Sequence, residues 1–190
     1  MNSFFIKSAL CAALLLAPKV AHAVSIIDGP IVSPTDGHIY YLLAPASWTD
    51  SEAAAVSLGG HLTAITSATE NAFVYSTFST FAGAFRDLWI GLTDVAQPGV
   101  FKWTSGEPFS YAPPGSGLPS NSGGEYYVHI VSPDFSSAAV WNDFPNAGYT
   151  GRRPNGVVEI VPEPSSAVFL LSGAAFLLRR RSFRIQARNA

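Results

Sequence analysis

The sequence predicts an α+β domain, and three observations carry that reading. Two helix-start signals stand close together in the first half, a series of short strand-like runs follows, and no cysteine occurs between residues 24 and 161. The start signals are the capping boxes Thr49-Asp50-Ser51-Glu52 and Ser67-Ala68-Thr69-Glu70. In each, a hydroxyl accepts from the backbone N–H three residues on, and a glutamate reaches back to the cap. The strand runs are short, rich in β-branched and aromatic residues, and separated by Gly, Pro and Ser. The single cysteine, Cys11, lies in the N-terminal apolar segment, so the domain must stand on its core without disulfides.

The elements follow in chain order. Residues 24–37 read as a lead-in, and "HIYYLL" at 38–43 as the first strand. Thr49 caps a helix over "SEAAAVSLGG", stopped by Gly59 and Gly60. "HLTAI" is a short strand. Ser67 caps a second helix over "ENAFVYSTFSTFAG", where Phe73, Thr77 and Phe81, with Val74 and Phe78, make one face aromatic. The runs "LWIGLT", "GVFKWT", "EYYVHIV", "AAVWND" and "GVVEI" are strands, and turn composition throughout 111–124 makes that stretch a long loop.

The two ends have the layout of addresses. Lys7, the apolar run Ser8–Ala17 and Ala21-His22-Ala23 form a signal peptide over residues 1–23, with cleavage behind Ala23; the alternative is a buried N-terminal helix. At the other end Pro162, Glu163 and Pro164 precede the apolar run Ala167–Leu178 and then Arg179, Arg180 and Arg181. Twelve helical residues span about 18 Å, short of a hydrocarbon core of about 30 Å. Residues 162–184 resemble the PEP-CTERM sorting signal of Gram-negative bacteria. The resemblance implies an exosortase partner, a transient inner-membrane intermediate on the short transmembrane helix, and release to the cell surface or an extracellular matrix. A plain tail anchor is the alternative.

Between those ends lie four basic and twelve acidic residues, a net charge of −8 over residues 24–161. Such a domain does not seek nucleic acid through its phosphates. The sequence also points away from an enzyme. His38, His61 and His129 are not spaced as metal ligands, and no nucleophile elbow, P-loop or dinucleotide glycine pattern occurs.

The ordered set "SWTDSEAAAVSLGGHLTAITSATEN", "WIGLTD", "FKWTSGEPFSY", "GGEYYV", "WND" and "GVVEI" resembles the C-type lectin-like domain over residues 38–160. The resemblance implies two helices packed on small antiparallel sheets, a long loop region that binds ligand, and Trp89, Trp103 and Trp141 in the core. It also implies a Ca²⁺ site. The matching positions are Leu118-Pro119-Ser120, Glu125, and Asn142-Asp143. Glu125, Asn142 and Asp143 offer good oxygens and Ser120 a hydroxyl, whereas Leu118 offers none, so the expected calcium binding is weak. Asn142 and Asp143 can equally be a turn bonding its own backbone. Phe109, Tyr111 and Asn121 are candidate ligand-binding residues of the loop; the two rings either stack on sugars or pack on the core. Two functional readings stand. One is an exported module binding carbohydrate, an exopolysaccharide of the matrix. The other is a structural matrix protein making cation-independent contacts with a surface protein.

Overall fold

The computed structural model describes residues 24–120 and 124–162. The proposed cleavage residue Ala23, Asn121, and Glu163 and Pro164 with the apolar tail lie outside the described residues, while Pro162 is the last residue within them. The elements run β1 (Ile26–Val32), β2 (Ile39–Pro45), α1 (Trp48–Ser57), β3 (His61–Leu62), α2 (Ala68–Phe78), β4 (Leu88–Thr93), β5 (Lys102–Trp103), β6 (Tyr127–Ile130), β7 (Trp141–Phe144) and β8 (Asn155–Ile160). Among the described residues no helix is long and apolar enough to cross a membrane.

The strands form one connected sheet in the order β1-β2-β8-β4-β6-β7, with β3 paired to β8 and β5 to β4. It is mixed rather than purely antiparallel: β4 runs parallel to β8, with Leu88 opposite Asn155 and Trp89 opposite Gly156. The C-terminal strand β8 thus enters the middle of the sheet and joins the β1-β2 hairpin to the strands that carry the loop region. Gly91 in β4 is required by close approach, because a Cβ there would lie 2.4 Å from the Leu62 carbonyl oxygen.

Three sequence expectations change. The lead-in 24–37 contains β1, hidden because Gly29-Pro30 reads as a turn; the pairing with β2 is irregular between Asp28 and Ile31, and an edge strand tolerates proline there. The cap of α1 is Ser47, not Thr49: its hydroxyl accepts from Asp50 N at 3.1 Å. Glu52 turns to the sheet instead, accepting from Leu62 N at 2.9 Å, with His61 Nδ1 at 2.6 Å. Ser67 caps α2, but the helix stops at Phe78 and a separate 3₁₀ turn covers Phe81–Gly83.

The core gathers on the expected indoles. Trp89 and Trp141 are fully buried and Trp103 nearly so; Trp103 and Trp141 pack with Tyr40, Phe78, Leu92, Val128 and Val157, and Trp89 packs with Trp48, Leu62 and Phe144. Buried indole N–H groups need acceptors. Trp89 donates to Ala46 O at 3.0 Å, Trp48 to Ile90 O at 2.8 Å, and Trp141 to Asn71 Oδ1 at 2.8 Å. The last bond explains why a polar Asn71 stands on the buried face of α2 beside Val74 and Phe78.

Candidate functional site

Strand β7 presents Asn142 and Asp143, and β6 fixes their height through the pairs His129–Asn142 and Val128–Asp143. The long loop is tied down beside them. Gly117 N donates to Trp141 O at 2.9 Å, and Ser116 Oγ accepts from Trp141 N at 3.1 Å. These bonds extend the sheet edge by one bridge, Gly117 to Asn142, and deliver Ser120 to the carboxylates. Ser120 N donates to Asp143 Oδ2 at 2.9 Å. Its hydroxyl lies 2.5 Å from Asp143 Oδ1 and 2.7 Å from Glu125 Oε2. Glu125 also accepts from the Tyr149 hydroxyl, a bond that pushes the tyrosine's pKa up. Asp143 is fully buried and Glu125 nearly so.

So Ser120, Glu125 and Asp143 meet at one point. Asn142 adjoins it differently: its amide Nδ2 donates to the Asp143 carbonyl at 2.9 Å, and its Oδ1 faces Gly117. A flip of that amide sets Asn142 Oδ1 beside the Asp143 carbonyl. Leu118 is a partly buried member of the core. The two loop aromatics lie on the core edge. Phe109 meets Trp103 edge-on at 6.3 Å and is 40% exposed, while Tyr111 meets Trp141 edge-on at 5.8 Å. Asp94, beside the site at the end of β4, accepts from Gly99 N at 2.7 Å and closes the following turn.

A family model described as "Lectin C-type domain" matches residues 44–143. The chain belongs to the C-type lectin domain family. Among curated relatives, human C-type lectin domain family 4 member K is 36% identical over 118 residues, covering 57% of this chain and 33% of that protein. Ladderlectin of Oncorhynchus mykiss is 32% identical over 113 residues, covering 60% of this chain and 57% of that protein. The chain thus spans between a third and about three-fifths of these two relatives. In fold, it resembles the crystal structure of the C-type lectin CEL-I from Cucumaria echinata, with a TM-score of 0.59 and 24% identity over 69% of this chain and 99% of that one. Members of the family are in general binding proteins rather than enzymes, and carbohydrate is the family's general ligand class.

In this lectin domain the sequence reading missed two acid sites, because their members are far apart in the chain. One joins Asp36 and His38 of the β1–β2 connection to Glu70 of α2, with one ligand atom of each within 4.8 Å of the others. Glu159 of β8 adjoins them: its Oε1 lies 2.5 Å from His38 Nδ1 and accepts from Tyr40 OH at 3.2 Å. The other centres on Asp87, bound by Arg152 at 2.5 and 2.7 Å, with His129 Nδ1 at 3.3 Å. All three histidines of the described domain therefore stand against a carboxylate. The partners of His38, His61 and His129 come from other elements of the fold, Glu159 of β8, Glu52 of α1 and Asp87 just before β4.

Proposed function

We propose that the protein is an exported carbohydrate-binding module, gripping glycan through a weak Ca²⁺ site at Ser120, Glu125, Asn142 and Asp143. One observation carries the reading. A single serine hydroxyl, with one proton to give, lies within hydrogen-bond distance of two carboxylate groups. A cation bound to the carboxylates balances that arrangement, and the hydroxyl, both carboxylates, the Asp143 carbonyl and a flipped Asn142 amide supply the hard oxygens that calcium takes. Its remaining coordination positions are then open to sugar hydroxyls. Leu118 contributes no oxygen, so the site is weaker than a full set, with a dissociation constant of about 10⁻⁴–10⁻³ M, the range of extracellular modules.

The setting is an extracellular one in this reading. Ala23 marks the end of a signal peptide, and Pro162, Glu163 and Pro164 open an exosortase-type sorting signal that passes through the inner membrane of a Gram-negative bacterium. The destination is the cell surface or an exopolysaccharide matrix. Leu118 also favours a second reading, a matrix protein making cation-independent contacts with a surface protein, since it occupies a ligand position with an apolar side chain.

Calorimetric titration with Ca²⁺ separates the two. Binding in the millimolar range, lost in Glu125→Gln and Asp143→Ala, is expected; absence of heat in the wild type would overturn the calcium site. Retention of the protein on a polysaccharide resin in Ca²⁺ but not in EDTA tests the glycan. Intact mass of secreted protein tests the sorting: material keeping Arg179–Arg181 would sink the exosortase claim.

A further inference from the structure

A second cleft opens on the far side of the Tyr149–Arg152 turn, and it reverses the charge of the domain. Of the four basic residues between 24 and 161, three line it: Arg86, Arg152 and Arg153. Its volume is about 530 Å³. Two aspartates also line it, and of these Asp87 is buried and occupied by Arg152. In a domain of net charge −8, this is a local concentration of cations.

The aromatic side of the cleft is equally distinct. Phe85 is 63% exposed and Phe135 is 66% exposed. The Arg152 guanidinium lies 3.7 Å from the centroid of the Phe135 ring and so holds that ring in place while leaving most of it to solvent. Arg152 cannot swing away, because Asp87 grips two of its nitrogens. Arg86 is braced similarly, with Nη1 donating to Phe81 O and Ala84 O at 2.5 and 2.7 Å. Arg153 is exposed. Among the described residues neither Arg86 nor Arg153 is in an ion pair.

One turn links the cleft to the calcium candidate. Tyr149 and Arg152 exchange backbone hydrogen bonds at 3.0 and 2.9 Å across one turn. The hydroxyl at one end of that turn bonds Glu125, and the guanidinium at the other end faces the cleft.

We propose that this cleft binds the carboxylate-bearing segment of an acidic polysaccharide, with Arg86 and Arg153 taking uronate carboxylates and Phe85 and Phe135 taking pyranose C–H faces. The inference deepens the carbohydrate reading by naming the ligand's charge, and it uses none of the calcium ligands. Guanidinium matches carboxylate in planar paired hydrogen bonds. Elsewhere the acidic surface repels a polyanion, so the complementary patch sets where and in which orientation the chain lands.

The test is titration of the secreted protein with a tetragalacturonate oligomer in EDTA, against the same oligomer with its carboxyls reduced to alcohols. The acidic oligomer should bind and the reduced one should not. Affinity should fall about tenfold or more when salt is raised from about 0.05 to about 0.5 M, because exposed charges are then screened. Arg153→Gln, at an exposed position, should weaken binding severalfold, and Phe85→Ala with Phe135→Ala should do the same; thermal melts matching the parent confirm that these variants fold. Binding unchanged in both variants overturns the proposal, as do equal binding of the reduced oligomer, equal binding of polyglutamate, or no binding of the acidic oligomer. This binding is read in EDTA and the calcium site by titration with Ca²⁺ alone, so failure of the calcium site and failure of the cleft give different results.

Discussion

Asp87 and Glu70 are both buried carboxylates set against opposite ends of β8, and the fold surrounds them with opposite company. Near the start of β8, Asp87 meets Arg152, His129 and the N–H of Ser132 at 2.9 Å. Burial pushes its pKa up, but the bonds from His129 and Arg152 outweigh that and hold it far below the usual carboxylate range. Near the end of β8, Glu70 shares the Tyr40 hydroxyl with Glu159, at 3.1 and 3.2 Å. There burial pushes the pKa up, the Thr66 N–H bond opposes it, and the Glu159 charge adds to the rise. Equal burial therefore leaves one acid firmly ionised and the other reluctant. The neighbour's sign decides the outcome.

The comparison breaks most visibly at Asp87. Asp87→Ala removes the acceptor of a buried charged network and leaves His129 and Arg152 facing each other without it. The expected cost is about 3–5 kcal/mol, read from urea unfolding. Trp89→Ala, an uncharged control in the same strand region, should cost a similar 3–5 kcal/mol through cavity formation. An Asp87→Ala midpoint close to the parent's would show that the network is not what holds the start of β8.

A smaller and opposite effect is expected at Glu70. Glu70→Gln keeps an oxygen for the Thr66 N–H, which donates at 2.8 Å, while removing one of two like charges. At pH 7 it should stabilise the domain by on the order of 1 kcal/mol. Near pH 4, where the parent side chain is itself protonated, the gain should vanish. A loss of stability at pH 7 would mean that the carboxylate's hydrogen bonds matter more than the repulsion.

How much of this was legible beforehand differs sharply between framework and sites. The α2 cap at Ser67 and the WIGL strand follow from local signals, because capping and strand patterning act within a few residues, while the burial of Trp89 and Trp141 follows from the family resemblance. The α1 cap did not follow, since Glu52 was drawn away to Leu62 N, a tertiary partner that the sequence spacing does not show. Strand β1 did not either, because Gly29-Pro30 carries a turn signal that edge pairing overrides. The candidate calcium residues were named through resemblance, yet the bridging role of Ser120 needed the Gly117–Asn142 bridge to become visible. Asp87 and Arg152, like Glu70 and Glu159, are far apart in the chain and are joined only by the tertiary fold.

The pH profile of stability sharpens the contrast between the two acids, and their signs differ. Glu70 has a folded pKa above its ordinary value of 4.5, so its ionised form costs stability at neutral pH. That cost fades as pH falls through the folded pKa and is gone below 4.5. Asp87 has a folded pKa below its ordinary 3.8, so its contribution is fully present above 3.8 and is lost only as pH falls towards the depressed value. From these two groups the melting temperature should rise as pH falls from neutral through the raised pKa of Glu70 towards 4.5, then fall once pH drops below 3.8. Glu159, His38, Asp36 and Tyr40 all face Glu70, so a His38→Asn variant serves as the control for its neighbours. Calorimetric scans of the parent, His38→Asn and Glu70→Gln across that range decide it. The acid-side rise should persist in His38→Asn and disappear in Glu70→Gln, while the fall below pH 4 remains in both. If Glu70→Gln keeps the full rise, the like-charge pair is not its source.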